Sequence, residues 1–199
     1  MYVIKKTESN LNCINDIAWE SANVANIDTI NWKEYGCIPK TCAKLLYNDY
    51  GIYVKLETDE KPLLARHTKQ NDSVCCDSCM EFFFRPNEND PRYFNFEFNP
   101  FGTMYLAVRT SRFDPVHPAE DKEYFNVKSY VDDKSWTLQF CIPFEFIDGI
   151  FGTHTKTVYG NLYKCGEDTL TPHYATYYPI LKEEPDFHRP EFFGKFILE

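Results

Sequence analysis

Glycine is scarce in this chain, at 8 of 199 residues, and no glycine-rich loop of the kind that brings backbone up against a phosphate occurs. Long apolar runs are missing too. No stretch approaches the roughly 18 residues that a membrane-spanning helix requires. The lysines near the N-terminus are followed by no apolar segment, so no secretory leader is legible. Read as a complete chain, the protein is expected in the cytoplasm, with its 8 cysteines mostly reduced. Basic residues are the minority: 21 Lys and Arg against 30 Asp and Glu leave a net charge of −9. No basic cluster exists to displace counterions, which argues against nucleic acid and anionic membrane as partners. No Gly-x-Ser-x-Gly elbow and no papain-like cysteine setting appears. Helical periodicity is equally rare. Only Asn15 to Ala25 and Pro143 to Ile150 read as a turn or two of helix, the latter with Pro143 suited to a first turn. No repeat, low-complexity tract or flexible linker divides the chain, so residues 1–199 read as one domain.

What the chain has in excess is aromatic residues, with 17 Phe and 14 Tyr, which favour strands. Strand patterns recur at Tyr2 to Lys6, at Ala43 to Tyr47 and Gly51 to Glu57 around Asn48-Asp49-Tyr50, and at Val74 to Arg85. They continue at Tyr93 to Asn99 and Thr103 to Thr110, at Phe125 to Asp132 and Trp136 to Ile142, then at Val158 to Lys164 and Lys195 to Leu198. About eight to ten short strands with short connections imply an all-β, antiparallel β-sandwich. The longest irregular stretch, Gly166 to Arg189, is rich in aromatics and is expected to lie ordered across one face.

The stretch from Tyr93 to Arg109 reads as a hairpin with two unlike faces. Phe94, Phe96 and Phe98 alternate with Tyr93, Asn95, Glu97 and Asn99. A three-residue Pro100-Phe101-Gly102 loop, with Gly102 left-handed, opposes Phe98 to Met104, Glu97 to Tyr105 and Tyr93 to Arg109. A two-residue loop would shift the register and oppose Phe96 to Tyr105. In Val74 to Arg85, Cys76, Met80, Phe82 and Phe84 form one side, and Asp77, Cys79, Glu81 and Phe83 the other. If the two segments are neighbours, Glu81, Asn95, Glu97, Asn99 and Arg109 share one surface. Carboxylates, amides and a guanidinium suit sugar hydroxyls, which both donate and accept. Tyr174, Tyr177 and Tyr178 of the long loop are candidate stacking rings.

The bland alternative is a solvated sheet face carrying an ordinary Glu–Arg pair, worth roughly 0–1 kcal/mol. A catalytic alternative makes Glu81 and Glu97 the acid and base of a glycosidase, whose carboxylates lie roughly 5–5.5 or 6.5–9.5 Å apart. An adjacent Arg would lower both pKa values rather than raise one for acid duty. His173 and His188, with Asp186 and Glu191, lack the spacing of a metal ligand set. Cys76 and Cys79 have zinc-like spacing, yet on one strand they face opposite ways, so the cysteines read as buried structural thiols and no metal site is expected. Asp72 and Asp77 offer oxygen ligands without EF-hand spacing.

Several segments resemble carbohydrate-binding module family 9. They are Leu45-Leu46-Tyr47-Asn48 with Gly51-Ile52-Tyr53-Val54, Asp77 to Phe83, Tyr93 to Asn99 with Gly102 and Arg109, and Ile142-Pro143-Phe144. Gly160 to Gly166 and the closing His188-Arg189-Pro190-Glu191-Phe192-Phe193-Gly194 complete the match. The resemblance implies an immunoglobulin-like β-sandwich with long ordered loops that binds the end of a glucose or xylose chain without cleaving it. It implies a sugar held between two aromatic rings and hydrogen-bonded by an acidic residue, an Arg and an Asn or Gln. Carried over, Glu81 and Arg109 take the acidic and Arg roles, Asn95 or Glu97 assists, and Tyr177 stands where similar sequences carry Trp. The candidate ligand-binding residues are therefore Glu81, Asn95, Glu97, Asn99, Arg109, His173, Tyr177 and Tyr178. Family members often hold structural calcium. The open alternatives are a cytoplasmic enzyme acting on a sugar derivative through Glu81 and Glu97, and a protein-interaction module.

Overall fold

Short strands, many of them rich in aromatic and β-branched residues, recur from Tyr2 to Leu198. The computed structural model describes residues 1–199. Its strands are β1 Tyr2–Lys6, β2 Val24–Asn26, β3 Thr41–Tyr47, β4 Gly51–Thr58, β5 Cys79–Arg85 and β6 Tyr93–Phe98. They continue with β7 Met104–Arg109, β8 Lys128–Val131, β9 Trp136–Pro143, β10 Thr157–Gly166, β11 His173–Thr176 and β12 Gly194–Leu198. One helix, α1 Phe144–Phe151, follows β9 with Pro143 at its N-cap. No helix is long and apolar enough to cross a membrane.

The strands form two packed layers. One has the order β7-β6-β5-β10-β12-β1, with β11 also on β10; the other runs β1-β3-β4-β9-β8, with β2 on β3. β1 belongs to both. Its residues Tyr2, Val3 and Ile4 pair with β12, and Lys5 and Lys6 pair with β3, both in parallel. The sandwich is therefore mixed, not wholly antiparallel. Parallel neighbours need long connections, and here the segments between β1 and its partners supply them. Alternation within a strand carries no information on strand direction, so the sequence pattern did not reveal this.

The hairpin forms as read. Phe98 opposes Met104, Glu97 opposes Tyr105 and Tyr93 opposes Arg109. Gly102 has φ +69°, its N–H bonds the carbonyl of Asn99 at 2.8 Å, and Asn99 N–H reaches Thr103 at 3.2 Å. β5 lies beside β6, placing Glu81 directly opposite Glu97. Between the layers, Phe82, Phe84, Phe94, Phe96 and Phe98 meet Val54, Leu56, Leu138 and Phe140. Phe98 and Phe140 have ring centroids 4.6 Å apart.

The outward face of the β5 layer is not solvated. A second apolar cluster of Trp32, Val74, Phe83, Tyr93, Tyr163, Ile180 and Phe187 covers it. Trp32 and Tyr35 from one loop and Ile180, Phe187, Phe192 and Phe193 from another pack over this face, and Asn95 and Glu97 are buried too. The bland expectation of a solvated Glu–Arg pair is thereby replaced by a buried polar cluster.

Asn15 to Ala25 forms the short helical turn expected, a 3-10 helix over Ile17–Ser21 capped by Asp16, followed by β2. One local reading changes. Val74–Cys76 is also a 3-10 turn, and the strand starts at Cys79. Cys75 and Cys76 thus leave the strand alternation, and strand geometry does not set Cys76 opposite in face to Cys79.

Candidate functional site

The site grows from three outward positions on β6 and β7. Arg109 Nε donates to Asn95 Oδ1 at 2.9 Å, and Asn95 Nδ2 donates to Glu97 Oε1 at 2.8 Å. The other two guanidinium nitrogens of Arg109 bond the carbonyl of Arg112 and the hydroxyl of Tyr105. All three nitrogens are thus engaged within the chain, and Arg109 orders the cluster instead of presenting free donors.

On β5, Glu81 is 2% exposed and accepts from the Cys165 thiol, 3.0 Å away on β10. Burial raises the Glu81 carboxyl well above the ordinary range, and the like charge of Glu97 adds to it. Glu97 moves the same way through burial, opposed by the Asn95 hydrogen bond and by Arg109. The two carboxyls sit on the same side of the sheet as Arg109, as the alternation requires.

A loop roofs these groups. Phe187 stacks on Tyr163, centroids 4.3 Å apart and planes 11° from parallel. His188 lies 5.1 Å from the Phe83 ring and shares a 3.0 Å hydrogen bond with the Tyr93 hydroxyl. Enclosure drives the His188 pKa down to about 3, and Arg109, Arg112 and Arg189 push it further that way. The imidazole is therefore neutral near pH 7. Under this roof remains a cleft of about 60 Å³, lined by Glu81, Glu97, Cys75, Cys165 and Glu167, with Tyr174, Arg112 and Asp186 toward its rim. Small-molecule pockets usually span roughly 300–1,000 Å³, so the cleft is too narrow to take in a whole sugar ring.

A profile of carbohydrate-binding family 9 matches residues 14–198. The chain belongs to carbohydrate-binding family 9. Solved structures agree. A candidate carbohydrate-binding protein of Bacteroides uniformis is 26% identical, with a TM-score of 0.83 over 99% of this chain and 98% of that one. A family 9 module from Caldicellulosiruptor kristjanssonii in complex with cellotriose is 12% identical, with a TM-score of 0.68 over 100% of this chain and 93% of that one. The same organism's family 9 module in complex with glucose is 13% identical, with a TM-score of 0.67 over 99% and 94%. At those identities the Caldicellulosiruptor modules show the shared fold alone. Among curated proteins none matches.

Within this family 9 fold, the predicted residues divide. Glu81, Asn95, Glu97 and Arg109 come together. Asn99 lies on the same side at the strand end, but its side chain is committed to the chain itself. Nδ2 bonds the His67 carbonyl and Asp77, and Oδ1 accepts from the N–H groups of Phe101 and Thr103. His173 faces the other way. β11 pairs Cys165 with Tyr174 and Gly166 with His173, so alternation turns Tyr174 outward and His173 inward. There His173 Nε2 sits 2.9 Å from Lys164 Nζ. Tyr177 and Tyr178 do not roof the cleft either. They pack on Phe196, centroids 6.1 and 5.8 Å away, at the inner core. Gly194 makes this possible, since a Cβ there would lie 2.4 Å from the Tyr178 ring.

Asp72 and Asp77, the oxygen ligands that the sequence offered for calcium, carry hydrogen bonds from the chain itself. Asp77 already accepts from the N–H groups of Arg66 and His67, from Asn99 Nδ2 and from Arg66 Nε. Asp72 is engaged by the Lys69 N–H.

Sequence reasoning missed Arg112, Glu167, Cys75 and Cys165 as cleft residues. The Tyr163-Lys164-Cys165-Gly166-Glu167 alternation placed Cys165 beside Tyr163, which was a usable signal. Arg112 lies in a loop and gave none.

Proposed function

We propose that this family 9 protein binds carbohydrate without cleaving it, at the rim of the cleft on the outward face of the β5 layer. The observation that carries the reading is the family match over residues 14–198. The Caldicellulosiruptor modules of the same fold, in complex with cellotriose and glucose, indicate the ligand class.

The rim offers the matching chemistry. Arg112 is exposed and pairs with Asp186 across 3.7 Å, leaving a fork of donors toward solvent. Tyr174 is half-buried, with its ring held edge-on by Tyr35 at 4.9 Å, so it presents a fixed aromatic surface to sugar C–H groups. Glu167 adds acceptors. Behind them Arg109, Asn95 and Glu97 form a hydrogen-bonded floor, with Glu81 beside it on the Cys165 thiol. The narrowness of the cleft favours binding over hydrolysis, because a glycosidic oxygen would have to reach between Glu81 and Glu97.

A glycan panel including glucose and cellotriose, titrated by calorimetry, tests this. Binding is expected, and Arg112→Ala and Tyr174→Ala should each weaken it at least about tenfold, near 1.4 kcal/mol. Release of shorter sugars, abolished by Glu81→Gln, would replace the reading with a glycosidase. A silent panel would replace it with a protein-interaction module.

A further inference from the structure

The floor of the cleft holds a group of side chains that carbohydrate binding does not explain. Cys79 on β5 and Cys165 on β10 are directly opposed in the ladder. Their sulfurs and a carboxylate oxygen of Glu81 all lie within 4.8 Å of one another, and all three residues are buried. A second set, Cys75, Cys76 and Glu167, has donors equally close and is half-buried. The two sets adjoin: Cys165 Sγ is 3.6 Å from the Cys75 carbonyl, and the Glu167 N–H bonds that same carbonyl at 3.2 Å.

A buried carboxyl either keeps its proton or is matched by a cation or by strong donors. Glu81 has a thiol for a partner and faces another carboxyl, Glu97. Soft sulfur donors beside a carboxylate suit a thiophilic divalent metal. Zn–S bonds of about 2.3 Å imply a tetrahedral edge near 3.8 Å, so the three donors need to shift only slightly to surround one ion.

We propose that Cys79, Glu81 and Cys165 bind a thiophilic divalent cation, Zn(II) by preference, with the fourth position open to the small cleft and with Cys75, Cys76 and Glu167 marking the route of entry. Binding replaces the protons of two thiols and one carboxyl by one metal ion, with no redox change. The site lies behind the sugar rim, and it stands or falls independently of sugar recognition.

The test is titration of the reduced full-length protein with Co(II), followed by displacement with Zn(II). One equivalent should give the thiolate-to-cobalt charge-transfer absorption and the visible bands of a tetrahedral ion, and Zn(II) should abolish both. Cys165→Ser and Glu81→Gln should each weaken Co(II) binding at least about tenfold, while Cys37→Ser, at an exposed and remote thiol, should leave it unchanged. Circular dichroism of each variant separates loss of the site from loss of the fold, and the wild-type spectrum needs no variant at all. Absence of charge-transfer absorption in the wild type would overturn the proposal, as would its persistence in folded Cys79→Ser/Cys165→Ser protein. A Cys79–Cys165 disulfide in the freshly isolated protein, seen by mass spectrometry, would overturn it as well. Glycan titration with and without a chelator keeps the sugar reading separate.

Discussion

Replacing Lys164 by Met should be among the most damaging single changes in this protein. Lys164 is fully buried on the inward face of β10. Its ammonium has three short contacts: Glu60 Oε2 at 2.8 Å, His173 Nε2 at 2.9 Å and the Cys165 carbonyl at 2.7 Å. Glu60 is itself buried and keeps a 2.8 Å hydrogen bond from Ser78 Oγ. Methionine fills most of the lysine volume, so the loss is electrostatic more than steric. Removing one partner of such a pair leaves an uncompensated buried charge, at a cost of about 3–5 kcal/mol. For a chain of this size each kcal/mol lowers Tm by roughly 2–4 °C, so a fall of roughly 6–20 °C is expected. Lys164→Met/Glu60→Gln should recover part of that loss, since the stranded charge is gone and Ser78 still finds an acceptor. Urea unfolding followed by fluorescence, with the full double-mutant cycle, measures both effects. A cost below about 1 kcal/mol for Lys164→Met, or strict additivity in the double variant, would refute the argument. Glycan binding should survive in both variants, because this cluster and the cleft lie on opposite sides of β10.

Stability should also depend on pH through His188. Its folded pKa is depressed to about 3, so below pH 6.5 the unfolded chain takes up a proton that the folded chain refuses. Stability then falls with pH by at most about 1.4 kcal/mol per unit, and His188→Gln should flatten that slope in chemical denaturation at stepped pH. The raised carboxyls work in the other direction, holding protons in the folded state that the unfolded chain has released. Glu97→Gln should therefore gain stability relative to wild type as pH rises above the ordinary carboxylate range, in the same denaturation series. Gly194→Ala drives a methyl into the Tyr178 ring and should cost about 1–3 kcal/mol by calorimetry, with part recovered in Gly194→Ala/Tyr178→Leu. Phe96→Ala empties the centre of the sandwich, where Phe96 lies 5.7 Å from Phe140, and should cost about 3–5 kcal/mol in urea unfolding.

Local rules were legible in the chain wherever a single strand or turn decided the outcome. The Pro100-Phe101-Gly102 loop set the register of β6 on β7, and alternation put Glu81, Asn95, Glu97 and Arg109 on one side of their sheet. The family 9 segments named the fold. Each depends on residues close in sequence, or on period-two geometry that any strand obeys. Tertiary structure decided what alternation leaves open. It set β1 parallel to both β12 and β3, because strand direction depends on long connections and not on side-chain pattern. The aromatic stretch Gly166 to Arg189 is expected from sequence to lie across one face; tertiary structure decided which face, seating Phe187 and His188 on Tyr163, Phe83 and Tyr93. It turned His173 inward toward Lys164, since β11 takes its register from β10, and it packed the half-buried Tyr177 and Tyr178 on Phe196. It also drew Cys79 and Cys165 together across 86 residues of chain, a proximity that only the pairing of β5 with β10 creates.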